Sequence, residues 1–446
     1  MAETFDTILA GGTVVSHDGV GQADIGVRDG LTVAIGDLSR ADAGERIDAA
    51  GLHVLPGVID TQVHFREPGN EHKEDLEAGS RGAVLGGVTA VFEMPNTSPL
   101  TTDAASLQDK LDRAAGRMWC EHAFYVGATA ENADHLAELE RAPGCCGVKI
   151  FMGASTGDLL TEDDETLRRV LKGLRRRCAV HAEDEPRMRS RKHLAEAAAH
   201  PSAHPEWRDA QSALLATQRL VALARETGRR VHVLHITTAD EMRFLAENKD
   251  IASVETTPQH LTLSAPDCYE TLGTRAQMNP PIRTKDHTEG LWWGLAQGVV
   301  DVIGSDHAPH TLEEKARTYP ASPSGMPGVQ TLVPVMLDHV NAGRLSLLRF
   351  MDLTSAGPAR LFGLVRKGRI AVGFDADYTV VDMKADVEIT DAIMANKSGW
   401  TPFAGRKVTA WPRLTMIRGR SVMREGELAS AAQGLPLQFG ETLRPA

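Results

Sequence analysis

The sequence predicts an α/β fold, a (β/α)8 TIM barrel with a small β-sandwich formed by its N- and C-terminal segments. Three observations predict it. Eight short apolar runs recur along the middle of the chain, most of them separated by helical stretches. Both ends read instead as alternating strands broken by glycine turns. Polar residues then interrupt the apolar runs at their C-terminal ends, the face where a barrel of this kind gathers its catalytic groups.

The elements follow in order. The N-terminal segments DTILAGGTVVSHDG and ADIGVRDGLTVAIGDL have the strand texture, and it returns late in GRIAVGFDADYTVVDM and RLTMIRGRSVMREGEL. Between them lie the eight runs, at 54–60, 89–94, 122–127, 147–153, 178–183, 230–236, 251–257 and 300–306. Helical patterns such as 165–176 and 210–225 connect them. At 446 residues the chain exceeds the usual single-domain size. The expected division is a first sandwich part at 1–54, a barrel at 55–365, and a second sandwich part with a C-terminal tail at 366–446. The tail after Arg424 reads as surface wrapping or an oligomer contact.

Composition narrows the function classes. Hydrophobic content of 42% and charged content of 24% are ordinary for a soluble globular protein. No run approaches the roughly 18 to 20 apolar residues of a membrane span, and the N-terminus lacks the charged and apolar regions of a secretory signal. The net charge of -12 argues against nucleic acid or an anionic membrane as the main partner. The five cysteines are scattered with no C-x-x-C pair, which disfavours a disulfide framework and a thiolate zinc site. A reducing, cytoplasmic compartment is the expectation.

The chemistry sits at the run ends. Gln62 and His64 follow the first run and Asn96 the second; Lys149 lies in the fourth, His181 in the fifth and His235 in the sixth, and Asp306 closes the eighth. A single histidine at a strand end is usually a satisfied polar residue, but histidines, a lysine and an aspartate at successive ends point jointly to a metal site. Imidazole and carboxylate donors suit zinc, and an open coordination position makes such a site catalytic. A bound metal lowers the pKa of water to about 7 and polarises a carbonyl oxygen. As an ammonium Lys149 is a poor ligand; deprotonated and carboxylated by CO2 it becomes an anionic carbamate able to bridge two metals.

The motifs FREPG at 65–69, MPNT at 94–97 and SDHAPH at 305–310 together resemble the dihydroorotase family of the amidohydrolase superfamily, close to hydantoinases, dihydropyrimidinases and allantoinases. The resemblance extends over nearly the whole chain. It implies a barrel with a flanking β-sandwich, zinc, and interconversion of N-carbamoyl-aspartate with dihydroorotate. Carried onto this sequence, it makes His64, Lys149, His181, His235 and Asp306 metal ligands, with Lys149 resembling the N6-carboxylated lysine of hydantoinase-like members. It makes Asp306 also the proton shuttle. Arg66, Asn96 and His310 resemble the groups that hold the substrate carboxylate, which suits an arginine fork, and Asn279 stands where the ring is contacted.

One departure is serious. The first-strand motif of these enzymes is His-x-His, and here it reads Gln62-Val63-His64. Two zinc ions with one weakly held, a single zinc ion, or a silent relative all follow from it. Three readings therefore stand: a dihydroorotase of pyrimidine biosynthesis acting on a small cyclic amide; a hydantoinase, dihydropyrimidinase or allantoinase; or a non-catalytic barrel scaffolding aspartate transcarbamoylase. The resemblance also implies a homo-oligomer. The segment 311–328 is open between a surface connection and a mouth-lining loop.

Overall fold

The computed structural model describes residues 4–154 and 159–441. Its centre is a sheet of eight parallel strands in sequence order: β1 (Val58–Val63), β2 (Val88–Glu93), β3 (Glu121–Gly127), β4 (Cys145–Phe151), β5 (Cys178–His181), β6 (Val231–Val233), β7 (Ala252–Thr256) and β8 (Val302–Ile303). Seven fall on the expected apolar runs, and β1 overlaps the first run only at 58–60. The sheet closes where Val63 bridges to His307 and the His64 N–H donates to the His307 carbonyl at 2.7 Å. The strands are buried along their whole length, so they read as near-continuous apolar runs and not as alternating ones. Helices such as Asp164–Gly173 and Ala210–Thr227 pack outside them, capped at their N-termini by the Asp163 and Asp209 carboxylates.

The two ends pair into a second, mixed sheet of nine strands, as expected. His53–Pro56 joins its halves, running parallel to Thr4–Ser16 on one side and antiparallel to Tyr378–Asp382 on the other. The run 54–60 is therefore not one strand: it divides at Gly57 between the end sheet and the barrel. A Cβ at Gly57 would lie 2.4 Å from Thr89 Oγ1 and 2.9 Å from Asp377 Cβ, so the crossing admits only glycine.

Inside the barrel, Ile59, Phe92, Tyr125, Ala179 and Leu234 form an apolar cluster completed by Phe362, Leu437 and Phe439. The late segment thus packs onto the barrel: Gly434 N–H donates to the Met118 carbonyl and Leu437 N–H to that of His122, both at 2.8 Å. Among the described residues no helix is long and apolar enough to cross a membrane.

Candidate active site

The strands bring the predicted side chains to one mouth. Gln62 is the penultimate residue of β1 and His64 follows it directly; Lys149 lies within β4, and His181 ends β5. His235 follows β6 and Asp306 follows β8. Gln62, His64, Lys149, His181, His235, Asn279 and Asp306 line one narrow cavity together with Phe151, Ala308, Ser324 and Gly325. Three residues of this neighbourhood, Arg66, His235 and Asp306, have φ of 63°, 35° and 45°. Such positive values cost non-glycine residues about 1–3 kcal/mol each and cluster at functional sites.

The donors form two pairs. His64 Nε2 lies 3.3 Å from Asp306 Oδ1, and its Nδ1 lies 2.7 Å from Asn96 Oδ1. His181 Nδ1 lies 3.1 Å from His235 Nε2, while His181 Nε2 is 2.9 Å from Glu183 Oε2. Burial pushes His64, His181 and His235 below the ordinary histidine range, so the rings are neutral. Burial likewise lowers Lys149 to about 7, against the pull of Asp306 and Glu255. Its ammonium sits 4.5 Å above the Phe151 ring.

These residues fit a divalent cation, although among the described residues no three His, Cys, Asp or Glu side chains already form a closed cluster. Two observations support the fit. His235 Nδ1 is buried with no hydrogen-bond partner among the described residues. An imidazole pair, a carboxylate and a readily deprotonated lysine are also the donor chemistry that zinc takes.

Several supporting residues were not singled out from the sequence. Glu183 stands between His181 and Arg208, whose Nε lies 3.2 Å from both carboxylate oxygens. Burial opposes its charge, yet Arg208 and His181 hold its carboxyl well below the usual range. Beneath Lys149, Glu255 accepts from Thr61 Oγ1 at 2.5 Å, and burial raises it to about 8. His204 Nε2 meets Asn279 Oδ1 at 2.9 Å. Only the "HAE" at 181–183 carries a sequence signal, an acid two residues beyond a candidate ligand.

The carboxylate trio is only partly assembled. Arg66 Nη2 and His310 Nε2 are 3.2 Å apart, and Asn96 is at His64, but none of the three is among the cavity-lining residues. The segment 311–328 does reach the mouth, through Ser324 and Gly325. It is anchored by the buried Lys315 ammonium, which donates to the carbonyls of Gln277, Pro323 and Gly325 at 3.0, 2.8 and 3.0 Å.

The amidohydrolase family model matches residues 53–422, from the junction strand to the end sheet. The chain belongs to the amidohydrolase family. A dihydroorotase of Halobacterium salinarum is 37% identical over 409 residues, covering 88% of this chain and 94% of that protein. An allantoinase of Escherichia coli O1:K1 is 34% identical over 436 residues, 93% of this chain and 94% of its own. The solved L-hydantoinase of Arthrobacter aurescens superimposes with a TM-score of 0.92 at 32% identity, covering 97% of this chain and 99% of that one. This amidohydrolase is thus a hydrolase with the eight-stranded barrel of its relatives.

Proposed function

We propose that this amidohydrolase is a zinc-dependent cyclic amide hydrolase, and that it interconverts N-carbamoyl-L-aspartate and dihydroorotate in pyrimidine biosynthesis. The observation that carries the reading is the convergence of His64, Lys149, His181, His235 and Asp306 on one cavity at the mouth of the barrel. These five would hold one or two zinc ions, with Lys149 contributing as its carbamate. When bound, the metal supplies Lewis acidity, lowering the pKa of water and polarising the amide carbonyl.

The chain's own groups do the rest. The Asp306 carboxylate takes the proton of the attacking water and returns it to the leaving amide nitrogen. Arg66 and His310, with Asn96, hold the substrate carboxylate by charge-assisted hydrogen bonds. Asn279, steadied by His204, contacts the ring. Glu183 orients His181 through the nitrogen that faces away from the cavity.

A second reading, a hydantoinase, dihydropyrimidinase or allantoinase, is favoured by one observation: Arg66 and His310 do not line the cavity. Turnover of dihydroorotate, hydantoin, dihydrouracil and allantoin by one zinc- and bicarbonate-supplied preparation separates the two. Preference for dihydroorotate is expected; preference for an uncharged ring overturns the first reading. Inactivity on all four would favour the non-catalytic scaffold. The five cysteines are buried and unpaired, which supports a cytoplasmic location, and a homo-oligomer is the expected assembly.

A further inference from the structure

The two halves of the cavity are not equivalent. In the first, His181 Nε2 stands 2.9 Å from the Glu183 carboxylate, out of line for a hydrogen bond, and the carboxylate charge draws the ring hydrogen to that nitrogen and leaves a lone pair on Nδ1. That lone pair faces His235 Nε2 at 3.1 Å, and His235 Nδ1 has no partner among the described residues. Lys149 shares the space with both rings. This half therefore offers two imidazoles and the Lys149 amine, which as its carbamate would present an oxygen, against the Phe151 ring.

The second half is built differently. Gln62 Nε2 donates to Asp306 Oδ1 at 2.9 Å. His64 Nε2 approaches that same oxygen at 3.3 Å. The approach to Oδ1 from β1 is thus occupied by an amide hydrogen, which is electropositive and cannot share it with a cation. Turning the amide over would bring Oε1 inward, but would break a hydrogen bond to a charged acceptor. It would also bury the amide's hydrogens where Oε1 now lies without a partner. A neutral amide oxygen is a weaker return for that loss than an imidazole nitrogen.

We infer that this chain holds one divalent cation, on the His181–His235–Lys149 side, and that Gln62 is a positioning residue fixing Asp306 by hydrogen bond where a second cation would have to sit. The inference rests on the metal-dependent reading above and decides the ion count it left open. Gln62 keeps one Asp306 oxygen aimed across the cavity without an ion's help.

The test is metal stoichiometry of the full chain, loaded with zinc in bicarbonate, freed of loose metal by gel filtration, and measured by inductively coupled plasma mass spectrometry. One equivalent is expected in the parent, and close to two in Gln62→His, which exchanges the amide donor for a lone pair. Gln62→Leu removes the donor without adding a ligand. It is expected to keep one equivalent while kcat falls about tenfold or more and KM for the best of the four substrates stays within about twofold. Two tightly held equivalents in the parent overturn the inference and leave the hydrolase reading intact. No equivalent in the parent overturns that reading itself. If Gln62→His does not fold, Gln62→Leu decides: an unchanged kcat removes the positioning role.

Discussion

Replacing Arg208 by alanine isolates one charge pair that supports the site. Arg208 and Glu183 side chains are 3% and 0% exposed, so neither group reaches water. The guanidinium contacts both oxygens of Glu183 and also donates to the Ala154 carbonyl at 2.8 Å. Arg208→Ala leaves the carboxylate with His181 alone. Breaking a buried pair from one side costs about 3–5 kcal/mol, because the stranded charge is desolvated without compensation. Adding Glu183→Gln removes that charge, and the double variant should recover about 2 kcal/mol of the loss. The sign with pH follows from the depressed carboxyl of Glu183. A folded-state value below the unfolded one of about 4.3 stabilises above that pH, and the contribution is lost as pH falls toward the folded value. The gap between parent and Arg208→Ala should therefore be full at pH 7 and narrow below about pH 4. Urea denaturation of metal-free protein, compared through midpoints at constant slope, measures all three differences. A single variant within about 1 kcal/mol of the parent, or a double variant no better than the single, refutes the reasoning.

Three further outcomes are expected. Arg66→Ala should raise KM for dihydroorotate by at least tenfold, in line with about 2–5 kcal/mol for one half of a buried charged contact, and leave hydantoin kinetics nearly unchanged; steady-state assays on both substrates check this. Burial works to raise Asp209, but hydrogen bonds from Arg187 and Ser212 bring it down to about 2. Asp209→Asn, which keeps the helix cap, should thus lose about 1 kcal/mol at pH 7, discounted for partial exposure. The loss should vanish as pH falls toward 2, and urea midpoints across that range follow it. Gly434→Ala would put a Cβ 1.9 Å from the Cys120 carbonyl oxygen. The tail must then lift, exposing Leu437 and Phe439 at about 1.5–3 kcal/mol each; faster proteolysis near the C-terminal end, with a lower urea midpoint, is the expected result.

Much of the barrel was legible because buried parallel strands are apolar throughout, so each run announced itself without any periodicity argument. The strand ends were legible for the same reason: His181 and Asp306 stand out against Val180 and Ile303. The break at Gly57 was not, since an apolar run keeps the same texture as it passes from one sheet to another. Glu183 and Arg208 were missed because their partnership depends on how residues from two separate segments meet inside the fold. The family resemblance paired Arg66 with His310, and the two do meet, but nothing in the local sequence places that pair outside the cavity lining. The tail beyond Arg424 read as surface because its few apolar residues are spaced as single anchors and not as an element.

Those anchors have a bearing on how the molecule is made. Phe439 and Leu437 complete the lining of a cylinder whose eight staves leave the ribosome far earlier. A nascent chain that has already gathered its histidines at the mouth therefore still lacks the stopper that the finished protein uses to fill its interior. Translation that halts shortly before these residues would release a barrel in which Phe362 alone covers Phe92 and Tyr125, with apolar surface left for chaperones to find.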